Sequence, residues 1–234
     1  MQRRTGTERT ESLTLYHPLS RLGYQCNGCV KKPPSPTSPL ATVPPVDYTK
    51  NNQIVNGVTQ PMNEVMQTIL NRHSCRTFTD QPIEPEKIDA LLTAALWAPS
   101  GRNEQSWHFT MITNPEKIQR LASAVREADN RPASYNFFAP AAFFIVSGER
   151  DNRNCFLDGA AAMENVLLAA TSLGLGSCWI NQVRDVCDNP QVRAILTEYG
   201  VPESHIVNAS AALGYAAQPS VVHERKSGLV SIVD

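Results

Sequence analysis

The chain has 234 residues, of which 41% are hydrophobic, and its formal net charge is −1. A chain of this length can bury one sizeable core and can form one or two domains. The near-neutral charge gives no global basic field for nucleic acid or an anionic membrane, and no run approaches the roughly 18–20 apolar residues of a membrane-spanning helix.

Residues 1–61 differ in composition from the rest of the chain. They contain eight prolines, seven Lys/Arg against three Asp/Glu, and almost no periodic apolar pattern. This composition predicts a disordered N-terminal extension, or an artefact of a misplaced upstream start codon. Its Arg-rich, Ser/Thr-rich and acid-poor start also resembles an organelle transit peptide, whereas the apolar core of a secretory signal is missing. We therefore assign the folded domain to residues 62–234.

The six cysteines are scattered through helical and strand-like contexts, which favours reduced thiols in a cytoplasmic protein over a disulfide framework. Cys26 and Cys29 form a CxxC pair that could bind zinc or cycle as a dithiol. A structural zinc ion needs four ligands and no second CxxC follows, so we predict no metal site.

From Met62 onwards the spacing of apolar residues is typical of a globular domain. Helices and strands alternate without a strict βαβ rhythm, which predicts the α+β class. A continuous apolar run in the middle of the chain predicts a central strand, and a long Ala-rich stretch after it predicts a buried helix. The predicted elements are helices at Met62–Asn71, Glu84–Trp97, Pro115–Glu127, Phe156–Leu173 and Pro190–Tyr199, and strands at Trp107–Thr113, Ala141–Ser147, Ser177–Gln182, Ile206–Tyr215 and Leu229–Val233.

The stretch RHSCRTF follows the first predicted helix and carries the first candidate binding residues. Arg72 and Arg76 flank Ser74 in a position where the side chains are free to turn towards a ligand. Arginine suits phosphate because its planar fork donates two parallel hydrogen bonds. The alternative is that the arginines only complement the dipole at the helix C-terminus.

The stretch APSGRNEQSW ends the second predicted helix at Pro99. Gly101 permits close approach of the backbone, and Ser100 and Asn103 offer hydroxyl and amide groups for hydrogen bonds. Trp107 then begins a strand, so a planar ligand could lie against this stretch. An ordinary polar turn between a helix and a strand is the alternative.

The stretch GLGSCWINQ, residues 174–182, has glycines but not the GxGxxG spacing between a strand and a helix. A Rossmann nicotinamide site is therefore not predicted. A strand edge whose backbone N–H groups face a planar heterocycle fits better, and the alternative is an ordinary buried strand.

Three aromatic residues, Tyr135, Phe137 and Phe138, precede the central strand. They could form a lid over a ligand or simply pack in the core.

Taken in this order and spacing, these stretches, followed by AALGY and ERKSGLVSIV, resemble the nitroreductase family of flavoproteins over about Met62 to Val233. The resemblance implies a central, mostly antiparallel sheet flanked by helices. It also implies an obligate homodimer with one FMN in a cleft between the subunits. Electrons from NADH or NADPH would reduce small organic acceptors such as nitroaromatics or quinones.

The resemblance also assigns cofactor-binding residues. It implies that Arg72 binds the FMN phosphate, with His73 and Ser74 beside it. It also implies that Arg225 is a second phosphate ligand, with Lys226 as the alternative. It implies that Arg76 reaches the pyrimidine edge and the ribityl chain, where its charge stabilises the reduced flavin electrostatically. The family often has arginine where this chain has His73, which leaves the number of phosphate contacts open.

Two further stretches are implied to line the flavin ring. Pro99 and Ser100 would line it, often from the partner subunit, and Asn103 would approach the same pocket. The residues that would pack along the flavin, with a backbone N–H near its N5 atom, are Trp179, Ile180 and Asn181.

No acid–base side chain is predicted, because the chemistry of such a site belongs to the flavin. Since no separate dinucleotide domain is evident, donor and acceptor are expected to take turns at one site in a ping-pong mechanism. The alternatives are a flavin-binding sensor or storage protein with poor turnover, or a family branch that carries out dehalogenation or flavin cleavage.

Overall fold

The computed structural model describes residues 52–55, 58–61, 63–219 and 225–233. In chain order its elements are β1 (Asn52–Val55), β2 (Val58–Pro61), α1 (Glu64–Asn71), α2 (Pro85–Leu96), a 3-10 turn (Gly101–Asn103), β3 (Trp107–Ile112), α3 (Pro115–Ala128), β4 (Ala142–Glu149), α4 (Cys155–Ser172), β5 (Gly176–Ile180), α5 (Gln182–Val186), α6 (Pro190–Glu198) and β6 (His205–Gly214). Among the described residues, no helix is both long enough and apolar enough to cross a bilayer.

A four-stranded sheet with the order β3-β4-β6-β5 forms the centre of the fold, and all its neighbouring strands are antiparallel. Strand β4 lies inside the sheet, as its continuous apolar sequence predicts, and all but the last of its residues are buried. The predicted α+β class and antiparallel sheet are therefore confirmed.

Successive side chains of β4 enter two different cores, because neighbouring residues of a strand point to opposite faces of the sheet. Phe143 and Ile145 join a cluster with α3, α5 and α6, whereas Phe144 and Val146 join a cluster with α2 and α4. The sheet is thus covered by helices on both faces. Helix α4 supplies much of the second layer, but the predicted burial holds along one face only, because Phe156 and Leu157 at its start are exposed.

The structure also contains a β1–β2 hairpin in the segment for which the composition predicts no folded element. Its register pairs Val55 with Val58, and the two residues between them in the sequence are Asn-Gly. This pair is the most typical signal of a two-residue hairpin turn, and composition alone hides it. Residues 1–51, including Cys26 and Cys29, lie outside the described residues, so the prediction for this extension stays a prediction.

Two predicted strand segments differ in the structure. The fifth strand ends at Ile180, and α5 begins at Gln182, where a continued strand is predicted. Leu229–Val233, predicted as a last strand, is irregular and exposed. Apolar content predicts a strand only where another strand is available to pair with it, and no described strand pairs with this segment.

A buried histidine on β6 gives the fold a pH dependence. Nδ1 of His205 lies 3.2 Å from Oγ of Ser147, and the ring faces that of His108. Burial, and then the charge of His108, lower the pKa of His205, while Glu149 opposes the shift and Arg193 adds slightly to it. The unfolded state binds the proton of His205 more readily than the folded state. The stability contributed by the neutral ring is therefore complete above the unfolded pKa and is lost as the pH falls through the lower folded pKa.

We therefore expect the urea midpoint of unfolding to fall between about pH 7 and pH 5. His205→Gln removes this titration and should flatten the slope, whereas His73→Gln, in an exposed loop, should keep it. Equal slopes in His205→Gln and the unmodified protein would show that another group is responsible.

Candidate functional site

The RHSCRTF stretch is held at both ends by the sheet. Ser74 forms a parallel bridge with Ser177 of β5, and the backbone N–H of Cys75 donates to the carbonyl of Ser177 at 2.8 Å. Beyond it, the N–H of Thr79 donates to the carbonyl of Tyr215 at 2.9 Å. This stretch therefore runs beside β5 and continues along the chain that follows β6. Two of the three sequence motifs are brought side by side.

Close packing at this junction explains a glycine in the GLGSCWI motif. A Cβ atom at Gly176 would lie 2.8 Å from both Cβ and Sγ of Cys75. Real Cβ atoms do not approach that closely, so an alanine here would push the first motif away from β5. The glycine serves strand packing, not a dinucleotide turn.

Arg72 and Arg76 place two positive charges next to β5. Nε of Arg72 lies 4.0 Å from a carboxylate oxygen of Glu164 on α4, and Arg76 is exposed. Burial raises the pKa of the Cys178 thiol, and the nearby guanidiniums of Arg76 and, less strongly, Arg72 oppose the rise.

Polar groups between these arginines and β5 are only partly used. Ser74 is exposed, and Oγ of Ser177, its bridge partner, is buried with no hydrogen-bond partner among the described residues. The ring of His73 turns back, with Nδ1 2.9 Å from the carbonyl oxygen of Asn71. The histidine is therefore engaged locally, whereas the serines and guanidiniums remain a donor set that fits a phosphate-bearing ligand.

The PSGRN stretch forms a tight loop after α2. Arg102, Asn103 and Gln105 all have positive φ angles, between 49° and 57°. Oγ of Ser100 accepts a hydrogen bond from the N–H of Gln105 at 3.1 Å. Oδ1 of Asn103 accepts another from Nε2 of Gln105 at 3.0 Å. The two predicted ligand-facing side chains thus also hold the loop together, while Pro99 leads into it from α2.

One residue at this loop was not predicted from the sequence. The backbone N–H of Gly101 donates to Oδ1 of Asp158 at 2.9 Å, and Asp158 lies in the first turn of α4. An aspartate in the first turn of a helix is a common dipole partner, so the sequence carried no signal that this one reaches across to another motif.

The third motif divides its side chains between the two faces of the sheet. Trp179 is half-buried on the face covered by α4, and its Nε1 donates to Oδ1 of Asn181 at 2.8 Å. Ile180 is buried in the opposite cluster, so its backbone and not its side chain is available to a ligand. This agrees with a role for backbone N–H groups along β5.

Arg225 begins the described stretch 225–233 and is exposed, as is Lys226. Residues 220–224 are not described. The convergence of Arg225 and Arg72 on one phosphate stays a prediction.

The aromatic segment before β4 packs in the core rather than forming a lid at Phe137. This side chain is fully buried and stacks on Phe143 with ring centroids 4.2 Å apart. Tyr135 donates from its hydroxyl to Gln182 at 3.2 Å, and burial raises the pKa of the Tyr135 hydroxyl. Phe138 is 37% exposed, and Tyr135 is partly exposed.

Within the described residues, no group of three or more His, Cys, Asp or Glu side chains is placed to hold a metal ion. What the arrangement offers is a pair of guanidiniums and two serines beside a strand, with an aromatic residue further along that strand. Such a set can bind a phosphate and support a planar ring.

Comparison with known proteins identifies the fold. A family model described as "Nitroreductase family" matches residues 69–215. A crystal structure of a nitroreductase with bound FMN from Bacteroides fragilis is similar, with a TM-score of 0.70, 38% identity, and coverage of 74% of this chain and 100% of that one.

Two curated relatives are similar at lower identity. A protein from Archaeoglobus fulgidus is 32% identical over 158 residues, which is 66% of this chain and 86% of the relative. The FMN reductase (NADPH) of Bacillus subtilis is 28% identical over 184 residues, which is 70% of this chain and 74% of the relative. Since the family model spans more than half of the chain and includes all three motifs, the chain belongs to the nitroreductase family.

Proposed function

We propose that this protein is an FMN-dependent oxidoreductase that takes hydride from NADH or NADPH and reduces small organic acceptors such as nitroaromatics or quinones by a ping-pong mechanism. The observation that carries the proposal is the docking of the RHSCRTF stretch on β5 through the Ser74–Ser177 bridge. It puts the candidate phosphate ligands and the candidate ring-binding strand side by side. The names of similar proteins, an FMN reductase and a nitroreductase with bound FMN, support the cofactor and the reaction class.

In this proposal the chain's own residues bind and orient the cofactor. Arg72 and Arg225 hold the phosphate, with His73 and Ser74 beside it, because guanidiniums form paired hydrogen bonds with phosphate oxygens.

Other residues support the flavin ring. Trp179 and Asn181, linked by their side-chain hydrogen bond, and the backbone of Ile180 line one side. Pro99, Ser100 and Asn103 line the other. FMN supplies the acceptance and return of hydride, so the protein's part is to place the donor and acceptor and to exclude water.

Donor and acceptor use one cleft in turn, which gives ping-pong kinetics. We infer this because residues 63–219 form a domain built on one four-stranded sheet, with a helical layer on each face. Double-reciprocal plots of the initial rate against the NAD(P)H concentration, measured at several fixed acceptor concentrations, should give parallel lines. Converging lines would contradict the mechanism without touching the cofactor assignment.

Arg76 is the positive charge expected nearest to the flavin ring. Arg76→Ala should slow the reduction of the bound flavin by NAD(P)H about 10-fold or more. The reason is the loss of a positive charge that stabilises the negative charge developing on the flavin. The measurement is stopped-flow absorbance at full FMN occupancy, with Arg76→Lys as the matched variant that retains the charge. An unchanged rate in Arg76→Ala at full occupancy would remove this role from Arg76.

The reaction is tested by an anaerobic absorbance titration of the purified protein. We expect a yellow protein that bleaches with NADH or NADPH and regains its colour when a nitroaromatic or a quinone is added. A flavin-binding sensor would stay oxidised, or would be reduced without turnover. A protein that stays colourless after FMN is added would contradict cofactor binding itself.

We also propose that the protein is a homodimer with FMN in the cleft between its subunits. Helix α1 buries none of its residues in the described chain, and large apolar side chains are exposed on α1, on α4 and after α2. Trp97 is 82% exposed and Leu157 is 71% exposed. A second copy of the chain would cover such surfaces.

The positions of the two docked motifs on α4 also support a shared site. Arg72 meets Glu164 and Gly101 meets Asp158, six residues earlier. Six residues correspond to about 9 Å along a helix and about 120° around it. The PSGRN loop and the arginines thus lie on different sides of α4, as expected if the loop serves the site of the partner subunit.

Light scattering after gel filtration should give about twice the 25.7 kDa mass of the chain. Trp97→Lys should shift the protein towards the monomer, because a charge would enter the interface core. Gln119→Lys, which adds the same charge on the opposite helical layer, is the control and should remain dimeric. A dimer that persists in Trp97→Lys at nanomolar concentration would place the interface elsewhere. A cytoplasmic location remains our proposal from the scattered cysteines.

A further inference from the structure

We propose that Asp158 is a positioning residue that fixes the conformation of the loop at residues 100–105 and thereby supports cofactor binding by Ser100 and Asn103. The inference rests on the proposed function for the role of the loop, but the contact itself is a property of the chain. Asp158 is not part of the loop's sequence motif. It lies 57 residues after Gly101, on a different element.

The loop needs an external support because its own backbone is strained. Three residues in it, Arg102, Asn103 and Gln105, occupy the left-handed region without being glycine. Such conformations persist only when surrounding contacts impose them. Inside the loop, the bonds of Ser100 and Asn103 to Gln105 close the turn on itself but do not attach it to the domain.

Asp158 attaches the start of the loop to the domain, whereas Nδ2 of Asn152 attaches its end by donating to Glu104 at 3.0 Å and to Ser106 at 2.8 Å. The residue surface of Asp158 is 8% exposed, and its Oδ1 accepts the N–H of Gly101 at 2.9 Å. A hydrogen bond from an N–H to a carboxylate is stronger than a neutral one, and the N-terminal turn of α4 favours a negative charge at this position. The bond therefore ties the strained loop to the helix that forms one layer of the core.

The two carboxylate oxygens of Asp158 differ in their surroundings. Oδ2 is buried and has no hydrogen-bond partner among the described residues. An unsatisfied buried oxygen weakens the fold, and an apolar side chain would avoid that cost. The hydrogen bond from Gly101 to Oδ1 is the interaction through which we propose that the carboxylate acts.

Gly101 is matched to this contact by its size. A Cβ atom at Gly101 would clash with Nδ2 of Asn154, which immediately precedes α4, and would lie 3.0 Å from its Cγ. An alanine would therefore displace either the side chain of Asn154 or the loop. The side chain of Asn154 makes no capping bond to α4, so it can be shortened without loss of a helix cap.

The experiment compares variants of the purified protein by two measurements. The first is hydrogen–deuterium exchange of the segment at residues 98–106, with the β4 segment as an internal reference. The second is the dissociation constant for FMN, from the quenching of FMN fluorescence. Asp158→Ala should speed exchange in the loop about 10-fold and weaken FMN binding about 10-fold, because a charged hydrogen bond is lost. Asp158→Asn, which keeps an acceptor oxygen, should show smaller changes in both.

The controls separate positioning from a general loss of stability. Asp151→Asn, an exposed aspartate just before α4, should leave both measurements unchanged. Gly101→Ala should reproduce the effect of Asp158→Ala, and Gly101→Ala combined with Asn154→Ala should restore the original behaviour. The rescue pair decides the question even if Asp158→Ala folds poorly.

Unchanged exchange in the loop of Asp158→Ala, or failure of the double variant to rescue Gly101→Ala, would overturn the inference. Faster exchange in the loop of Asp158→Ala, with an unchanged dissociation constant for FMN, would show that the position of the loop does not support cofactor binding. If the unmodified protein itself binds no FMN, the proposed function fails, and the exchange measurements still decide whether Asp158 positions the loop.

Discussion

Replacement of Arg72 by alanine is expected to raise the dissociation constant for FMN about 100-fold, which corresponds to about 3 kcal/mol. Arg72 is the predicted phosphate ligand on the stretch that docks against β5, and its one recorded ion pair is a 4.0 Å contact with Glu164. Such a half-exposed pair contributes little by itself, so the change should act on the ligand and not on the fold. The measurement is a fluorescence titration of FMN into apoprotein.

Two variants make this result specific. Arg72→Lys retains the charge but loses the planar fork, so it should recover only part of the affinity. Arg153→Ala removes the same charge from an exposed position just before α4 and should leave FMN binding unchanged. Equal affinities in Arg72→Ala and Arg153→Ala would show that Arg72 does not contact the phosphate.

Phe137→Ala is expected to lower the free energy of unfolding by about 3–4 kcal/mol. The ring is fully buried and stacks on Phe143, so its removal leaves a cavity in the cluster between the sheet and α3. The measurement is urea unfolding followed by circular dichroism, at fixed FMN concentration because a bound ligand adds its own stability.

Phe138→Ala is the matched control for this change. Phe138 follows Phe137 directly, has the same left-handed backbone with φ 68°, and is 37% exposed. Its replacement should cost less than about 1 kcal/mol. If both variants lose the same stability, the backbone conformation and not the buried ring is what matters in this segment.

The sequence predicted the elements whose signals are local. Proline in the first turn and the 3.6-residue period located α2, α3 and α6 to within about two residues, and continuous apolar runs located β4 and β6. It failed where the outcome depends on distant partners. Leu229–Val233 has the composition of a strand, but no described strand pairs with this segment.

The candidate site shows the same division. The family resemblance implied that the RHSCRTF and GLGSCWI stretches serve the same cofactor, and the Ser74–Ser177 bridge shows that the two stretches meet. The support of the PSGRN loop by Asp158 was not predictable, since a contact across 57 residues leaves no local pattern. The two readings offered for Phe137, lid or core, differ only in burial, which the sequence does not fix.

The bridges that hold residues 74–79 also have a consequence for the order in which the chain folds. The N–H of Ala217 donates to the carbonyl of Thr77 at 3.0 Å, so this part of the site is closed by residues about 140 positions later. Contacts of such long range form late, because the entropy of closing the loop is lost before the contact is gained. A nascent chain on the ribosome therefore lacks the complete candidate site until β6 has emerged.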